Sequence, residues 1–364
     1  MTADPAHFPP DYATARNGFL AAAEALSAQV ASYPIGARDH RGRELAVDVS
    51  YLGPESPERV LTISSGIHGV EGFAGSALQH QVLKEQWPGL DVPTDTGLLI
   101  VHAINPYGFA ELRRVNESNV DLNRNFLEHP GEHAANPGYE ELLDDINPVA
   151  LDEASDEASR GRLLTWAKER GFPALQSALT TGQYVHPKGV QFGGAAVEDS
   201  NRILREIAAR ECRGAAHVAW IDVHTGLGPY GIPEMITELA PEDPAYQRGR
   251  AWFGEIVKST AAGESVSAKL QGVMERGLEQ ALGPETQLTA LAAEFGTYDP
   301  IRVFWAMRAD NWLEHHGKRD SERGIAVKAE LLEVFRPDDA VWFRSVLERG
   351  AVLVEQAVAG LASL

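Results

Sequence analysis

Residues 60–72 read VLTISSGIHGVEG, an apolar, β-branched run that enters a glycine-flanked loop. The run is typical of a buried strand, and the glycines permit a tight turn and a close backbone approach. A helix that begins near Glu71 would put His68 on the loop and Glu71 on the first turn, so both side chains could reach one metal ion. Alone this pair is weak evidence, because a loop histidine beside a glutamate at a helix start has the same spacing.

Two later strand-like runs end in further candidate ligands. His224 follows the mostly apolar residues 217–223 and precedes a glycine-rich turn, and Glu294 ends the apolar run 288–293. A carboxylate there is not expected to face an apolar core unpaired, although an arginine partner would satisfy it equally. Two histidines and one glutamate form a ligand set for catalytic zinc that leaves a position open for water. A second glutamate could then act as a base on that water.

The rest of the chain alternates strands with helices, which predicts an α/β fold: a three-layer α/β/α sandwich around a central mixed, mostly parallel, twisted sheet. Open sheets of this kind bind ligands beyond the strand ends, where the motifs lie. We expect one domain over residues 1–364, with a core at about 15–345 and insertions at about 127–151 and 182–197. The predicted strands are 44–52, 59–65, 97–104, 217–223, 233–239 and 287–295, and the predicted helices are 11–30, 73–87, 152–180, 198–211, 243–261 and most of 300–362. A turn is predicted at 105–108 and a polar surface excursion at 127–151.

Composition limits the class of protein. The chain has 364 residues, 44% of them hydrophobic and 23% charged, with a formal net charge of −20. That charge disfavours nucleic acid and anionic membranes as partners. The one cysteine, Cys212, excludes an intrachain disulfide, and residues 1–5 lack the features of a signal peptide, so we expect a cytoplasmic protein. No apolar run approaches the ~20 residues of a membrane helix.

Taken together and in order, the motifs resemble those of the zinc carboxypeptidase (M14) superfamily, which also contains the aspartoacylase and succinylglutamate desuccinylase deacylases. Within it the chain most closely resembles the DUF2817 family, from about residue 15 to 345. The most specific stretch is Asp-Leu-Asn-Arg-Asn-Phe at 121–126. The matching stretches are 65–72, 105–109, 113–117, 119–126, 182–184, 186–187, 224–228 and 294–297.

The resemblance implies a role for each matching residue. His68, Glu71 and His224 match the ligands of one zinc ion per chain, and Glu294 matches the base that activates water. Asn123 and Arg124 match the pair that binds the substrate's terminal carboxylate, and Asp121 matches the hydrogen-bond partner of the first ligand histidine. Arg114 is the candidate for the arginine that stabilises the oxyanion, with Arg113 as the alternative. A planar guanidinium suits carboxylate binding, and a carboxylate behind a ligand histidine fixes its tautomer.

The implied activity is zinc-dependent hydrolysis of an amide bond next to a free carboxylate, in a small peptide or an N-acyl amino acid. Carboxypeptidase and N-acyl amino acid deacylase both remain open, because no tyrosine lies between residues 265 and 294 to match the mobile tyrosine of digestive carboxypeptidases. An exposed cleft would favour the peptidase, and a pocket narrowed by 127–151 and 182–194 would favour the deacylase. Tyr184 and Tyr230 are possible pocket residues. The sequence does not indicate the oligomeric state.

Three other interpretations have less support. A non-catalytic binding protein is expected to lack a ligand or the base, and none is missing here. A serine hydrolase is expected to have a Gly-x-Ser-x-Gly elbow, which the chain lacks. His315 and His316 are adjacent on a predicted helix, where their side chains point in different directions, so we do not expect them to share a metal ion.

Overall fold

A mixed eight-stranded sheet organises the part of the chain that the computed structural model describes, which is residues 3–129, 131 and 133–364. The strands are β1 (Gln29–Arg38), β2 (Glu44–Leu52), β3 (Arg59–Ser65), β4 (Thr96–His102), β5 (His217–Tyr230), β6 (Pro233–Thr237), β7 (Val257–Ser259) and β8 (Gln287–Gly296). Across the sheet they lie in the order β1-β2-β4-β3-β5-β8-β6-β7. Met1, Thr2, Pro130 and Glu132 lie outside the described residues, and so do those parts of the predictions for 1–5 and 127–151.

The four central strands β4, β3, β5 and β8 pair in parallel. Antiparallel strands lie on both sides, because β2 pairs with β4 on one flank and β6 pairs with β8 on the other. Parallel strands need crossover connections that cover both sheet faces, so their side chains are apolar on both sides. In β3, Leu61 and Ile63 face one core cluster while Val60 faces the other.

Helices cover the two faces of the sheet. The helices are α1 (Tyr12–Ala25), α2 (Gly72–Gln81), α3 (Pro106–Glu111), α4 (Pro137–Glu141), α5 (Leu143–Ile146), α6 (Glu153–Arg170), α7 (Phe172–Thr180), α8 (Asp199–Glu211), α9 (Pro244–Phe253), α10 (Met274–Leu282), α11 (Pro300–His316), α12 (Glu322–Phe335) and α13 (Ala340–Ala362). On one face, α2, α9 and α13 pack in the first core cluster, and on the other face α8 and α10 pack in the second. The predicted three-layer α/β sandwich with a mixed sheet is therefore confirmed.

A smaller apolar cluster stands beside the sandwich. Leu163 of α6, Ala178 of α7 and Phe304 of α11 pack there with Tyr139 and Ile146. The last two are buried and lie in α4 and α5, so the prediction of a plain polar excursion over 127–151 was wrong for its second half. Because α6, α7 and α11 meet over the ends of the parallel strands, they form a wall above the sheet.

Several predicted boundaries were wrong for local reasons. The helix predicted over 11–30 ends at Ala25, and strand β1 begins at Gln29; its mostly exposed pattern hid it from periodicity. The helix predicted over 152–180 breaks at Gly171, whose φ of 96° suits glycine. The helix predicted over 243–261 ends at Phe253 before β7, and the turn predicted at 105–108 begins the short helix α3.

Among the described residues, no helix is both long enough and apolar enough to cross a membrane.

Candidate metal centre and substrate cavity

The loop after β3 brings His68 and Glu71 together. Nδ1 of His68 lies 2.8 Å from Oε1 of Glu71, and both side chains are buried. Gly69 between them packs so closely against the backbone of Gly108 that a Cβ on Gly69 would lie only 2.0 Å from the Gly108 carbonyl carbon. The glycine therefore permits the close approach that turns both side chains toward one point.

Strand β5 brings His224 to the same point. Its Nδ1 lies 3.2 Å from Oε2 of Glu71. One ligand atom from each of His68, Glu71 and His224 lies within 4.8 Å of the others, and this is the only such group of histidine, cysteine and carboxylate side chains among the described residues. His224 lies within β5, which continues to Tyr230, so the turn predicted directly after it was wrong.

These residues fit a metal ion. The 2.8 Å contact between the buried Nδ1 of His68 and Oε1 of Glu71 does not have hydrogen-bond geometry, so Nδ1 lacks the hydrogen bond that a buried polar atom normally makes. Two imidazole nitrogens and a carboxylate that converge in this way match a catalytic zinc site with an open position.

A carboxylate stands behind each histidine. Nε2 of His68 lies 3.1 Å from Oδ1 of Asp121, and Nε2 of His224 lies 2.6 Å from Oδ2 of Asp222. A proton on each Nε2 leaves each Nδ1 with a free lone pair, which is the tautomer that binds a metal. Asp222 was not predicted as a site residue, although its position two residues before His224 on a strand puts both on one face.

Charge balances closely at this centre. Burial opposes the charge on Glu71, but His68 and His224 outweigh it and hold the pKa of Glu71 well below its usual range. Burial also opposes a charge on His224, but Asp222 and Glu71 raise the pKa of His224 well above its usual value. Metal ligation requires a neutral histidine, so metal binding should release a proton here.

Arg114 belongs to this centre and Arg113 does not. Arg114 donates to Asp121 and, at 3.0 Å, to Oε1 of Gln191, and it lines the cavity described below. Its Nη2 lies 2.8 Å from Nε2 of His68, a contact that is a hydrogen bond only in the tautomer unsuited to metal. Arg113 is buried elsewhere, against Asp310.

Gln191 lies in the segment 182–194 that was expected to narrow the pocket, and it adds a polar side chain there. It lines the cavity and accepts from Arg114, and its φ of 60° lies in the left-handed region that few residues other than glycine adopt. The strained backbone keeps the Gln191 amide against Arg114, as is common at functional sites.

Glu294 faces the metal centre from the neighbouring strand. It pairs in register with His224, so both side chains point to the same face of the sheet. Its Oε1 accepts a hydrogen bond of 2.8 Å from the backbone N–H of Leu227. Burial and the nearby charge of Glu71 raise the pKa of Glu294 to about 7. A carboxyl group of this acidity can take up and release a proton near neutral pH.

Asn123 and Arg124 line the same cavity. Arg124 is only 2% exposed; its Nη2 donates to the carbonyl of Thr180 at 2.7 Å, and its Nε has no partner. Burial lowers the pKa of Arg124 even though Asp121 favours the charge. A buried guanidinium with a free donor is suited to bind an anion.

The cavity has a volume of about 700 Å³. Helices α6, α7 and α11 supply an apolar wall that includes Leu163, Leu175 and Phe304. No described residue of 127–151 lines it, whereas Gln191 of the second expected segment, 182–194, does, and α6 and α7 supply much of the remaining lining. Tyr184 donates to the carbonyl of Arg124 and Tyr230 to Asp339, and neither lines the cavity.

His315 and His316 do not add a ligand set. Their ring centroids are 6.5 Å apart, and neither belongs to the metal-binding group found among the described residues.

Comparisons with known proteins place the chain in a family. A family model described as "Protein of unknown function (DUF2817)" matches residues 8–349. No curated protein matches the chain.

Solved structures with a similar fold are distant. Carboxypeptidase A from Helicoverpa armigera is 15% identical with a TM-score of 0.46, over 90% of this chain and 74% of that one. Bovine thrombin-activatable fibrinolysis inhibitor, in complex with tick carboxypeptidase inhibitor, is 12% identical with a TM-score of 0.49, over 97% of both chains. A Shewanella frigidimarina protein with the provisional name succinylglutamate desuccinylase/aspartoacylase is 18% identical with a TM-score of 0.37, over 80% of this chain and 72% of that one. Identities and TM-scores this low do not carry an activity from those proteins to this chain.

Proposed function

The chain belongs to the DUF2817 family, and from the site it builds we propose that it is a zinc-dependent hydrolase that cleaves an amide bond next to a free carboxylate. One observation carries the proposal. The converging side chains of His68, Glu71 and His224 share a cavity with Glu294 and with the buried Arg124. A ligand set, a base and an anion-binding group in one cavity match metal-assisted hydrolysis.

Zinc held by His68, Glu71 and His224 would polarise water and lower its pKa toward ~7. Glu294 has one oxygen fixed by the N–H of Leu227, so the other is free to take a proton from water. The same carboxyl then gives the proton to the leaving amine.

The two arginines have separate roles in the proposal. Arg114 donates to the oxygen of the carbonyl group as negative charge develops on it, an interaction worth ~2.7–4 kcal/mol in other hydrolases. Arg124 pairs with the free carboxylate of the substrate and so fixes which bond lies beside Glu294. Asp121 and Asp222 keep the two histidines oriented.

An N-acyl amino acid deacylase is the alternative within this chemistry. The wall formed by α6, α7 and α11 bounds the cavity on one side, and a pocket bounded in this way favours a small substrate over an extended chain. A non-catalytic binding protein has less support, because the full ligand set, the base and the anion-binding arginine are present together.

A substrate screen with and without a chelator tests the proposal. We expect hydrolysis of N-acyl amino acids or short peptides that stops on chelation and returns with zinc. Arg124→Ala should raise KM for substrates with a free carboxylate much more than for the matching amides. Hydrolysis that continues without metal, or equal losses on acids and amides, would contradict the proposed roles.

A further inference from the structure

Two carboxylates lie in the cavity away from the proposed metal centre. Glu238 and Glu275 both line it, half-buried. Strand β6 runs antiparallel to β8 with Glu234 opposite Glu294. Glu238 lies four residues farther along, which at about 3.3 Å per residue is roughly 13 Å down the sheet from the level of Glu294.

Small side chains lie along this stretch of the cavity. Ala290 and Ala292 lie on the same face of β8 as Glu294, and both line the cavity. Methyl groups at these positions take up little of the cavity between the proposed reaction centre and the two carboxylates.

Neither carboxylate forms a salt bridge among the described residues, although the nearby charges of Arg124 and Lys269 partly offset the rise that burial causes in the pKa of Glu238. Glu275 accepts from the hydroxyl of Thr237 at 2.8 Å and from the backbone N–H of Glu238 at 3.2 Å. Glu238 accepts only a long bond of 3.4 Å from the N–H of Leu270. Burial raises the pKa of Glu275 to about 8, since nothing nearby balances its charge. Such a group favours the arrival of a positive charge.

The part of the cavity that holds Glu275 is linked by a hydrogen bond to Asn123, one of the proposed carboxylate-binding residues. Oδ1 of Asn123 accepts from the backbone N–H of Met274 at 2.9 Å, and Met274 directly precedes Glu275. Arg124, with its unpartnered and buried Nε, lines the cavity beside them. A free α-carboxylate at Arg124 therefore leaves the side chain of the same residue directed at Glu238 and Glu275.

We propose that the residue released by hydrolysis carries a cationic side chain, an ammonium or guanidinium group that pairs with Glu275 and Glu238 while its α-carboxylate pairs with Arg124. This inference rests on the proposed function for the position of the bond that is cleaved. An acidic side chain in the same part of the cavity meets two carboxylates that form no salt bridge. An apolar side chain leaves both of them unpaired.

Binding and turnover of matched ligands test the inference. Free lysine, leucine and glutamate are titrated into the zinc-loaded and the chelator-treated protein by calorimetry, and the three N-acetyl amino acids are compared as substrates. We expect lysine to bind at least about 30-fold more tightly than glutamate or leucine, the factor for a desolvated charge pair. The order of kcat/KM should be the same.

Isosteric variants identify the residues responsible. Glu275→Gln and Glu238→Gln should each reduce the lysine-to-leucine ratio about 10-fold or more, because each removes one charge of the pair. Glu285→Gln, at an exposed position just after helix α10, removes an equal charge outside the cavity and should keep the ratio. Thermal melts of all three variants check that folding is intact.

The possible outcomes separate the two proposals. Lysine preference in binding without any hydrolysis would overturn the proposed function and support this pocket. Hydrolysis with equal or better use of leucine or glutamate would overturn the cationic pocket alone. An unchanged lysine-to-leucine ratio in both Glu275→Gln and Glu238→Gln would also overturn it.

Discussion

Arg113 and Arg114 are neighbours in sequence, yet their side chains enter two different buried charge clusters. Arg113 donates to Asp310 at 3.2 Å and to Asn119 at 2.9 Å, and Lys328 reaches the same Asp310 at 2.5 Å. We call these four residues the Asp310 cluster. It joins the loop after α3 to α11 and α12 and lies away from the cavity.

Arg114 enters the cluster around His68, Glu71 and Asp121, which opens to the cavity. There the charges are also paired, but neither Nδ1 of His68 nor Nε of Arg124 makes a hydrogen bond. The carbonyl of Arg113 accepts from the N–H of Val70 and the carbonyl of Arg114 from the N–H of Gly69, so one loop holds the backbone of both arginines. A charge cluster in which no buried side-chain donor lacks a partner stabilises a fold, whereas one with such donors left over beside a cavity is suited to bind a ligand.

The largest expected effect comes from Glu294, the proposed base beside the cluster of His68, Glu71 and Asp121. Glu294→Gln should lower kcat by about 10³-fold or more, because the amide cannot accept a proton. Metal content and melting temperature should stay near those of the wild type, since the ligands are untouched. Turnover within 10-fold of the wild type would exclude Glu294 as the base (about 1.4 kcal/mol).

The two arginines can be compared directly. Arg114→Ala should lower kcat by about 10²–10³-fold, the cost of one oxyanion donor. Arg114→Ala should lower the melting temperature less than Arg113→Ala does, because Asp121 still has His68 and Arg124 as partners. Arg113→Ala should show the reverse, with near-normal kcat in the folded protein and a lower melting temperature. Equal losses of kcat in both variants would remove the distinction between the clusters.

Asp310→Asn tests the contribution of the Asp310 cluster to stability. It should lower the free energy of unfolding at neutral pH by about 3 kcal/mol, because Arg113 and Lys328 stay buried without their counter-charge. Burial raises the pKa of Asp310, but Lys328 and Arg113 outweigh it and lower that pKa. The stabilisation is therefore present above the unfolded pKa of about 3.9 and is lost as pH falls through the folded value. Denaturant titrations at neutral and acid pH should show the difference from wild type shrink in acid; a constant difference would contradict this account.

The smallest of these effects concerns the carboxylate behind His224. Asp222→Asn should weaken zinc affinity by about 10–100-fold, the usual loss for such a partner of a metal ligand. Competition with a chelator measures it. Asp310→Asn serves as the matched control, since it makes the same aspartate-to-asparagine change in the Asp310 cluster. Equal zinc affinity in both variants would deny Asp222 a role at the metal.

Much of the proposed site could be predicted from short stretches, because glycine-flanked residues 60–72 and the strand before His224 carry local signals. The choice between Arg113 and Arg114 could not, since adjacent residues in a loop have the same local pattern and only tertiary contacts separate them. Asp222 was missed although strand alternation puts it on the face of His224.

Other features depend on contacts between distant parts of the chain. The wall of α6 and α7 was read as one long helix, and nothing in its sequence says that it covers the strand ends. Glu238 and Glu275 look like ordinary polar residues on a strand and a helix. Their importance comes from their place in the cavity without a salt bridge to any described residue, which only the packed structure reveals.

The metal content of the purified protein tests the central claim most directly. Elemental analysis of the wild type and of His224→Ala should give about one zinc per chain in the first and much less in the second, since three protein ligands hold a catalytic zinc. Arg113→Ala is the control and should keep its zinc. Wild-type protein that binds no zinc even after zinc is added back would contradict the account.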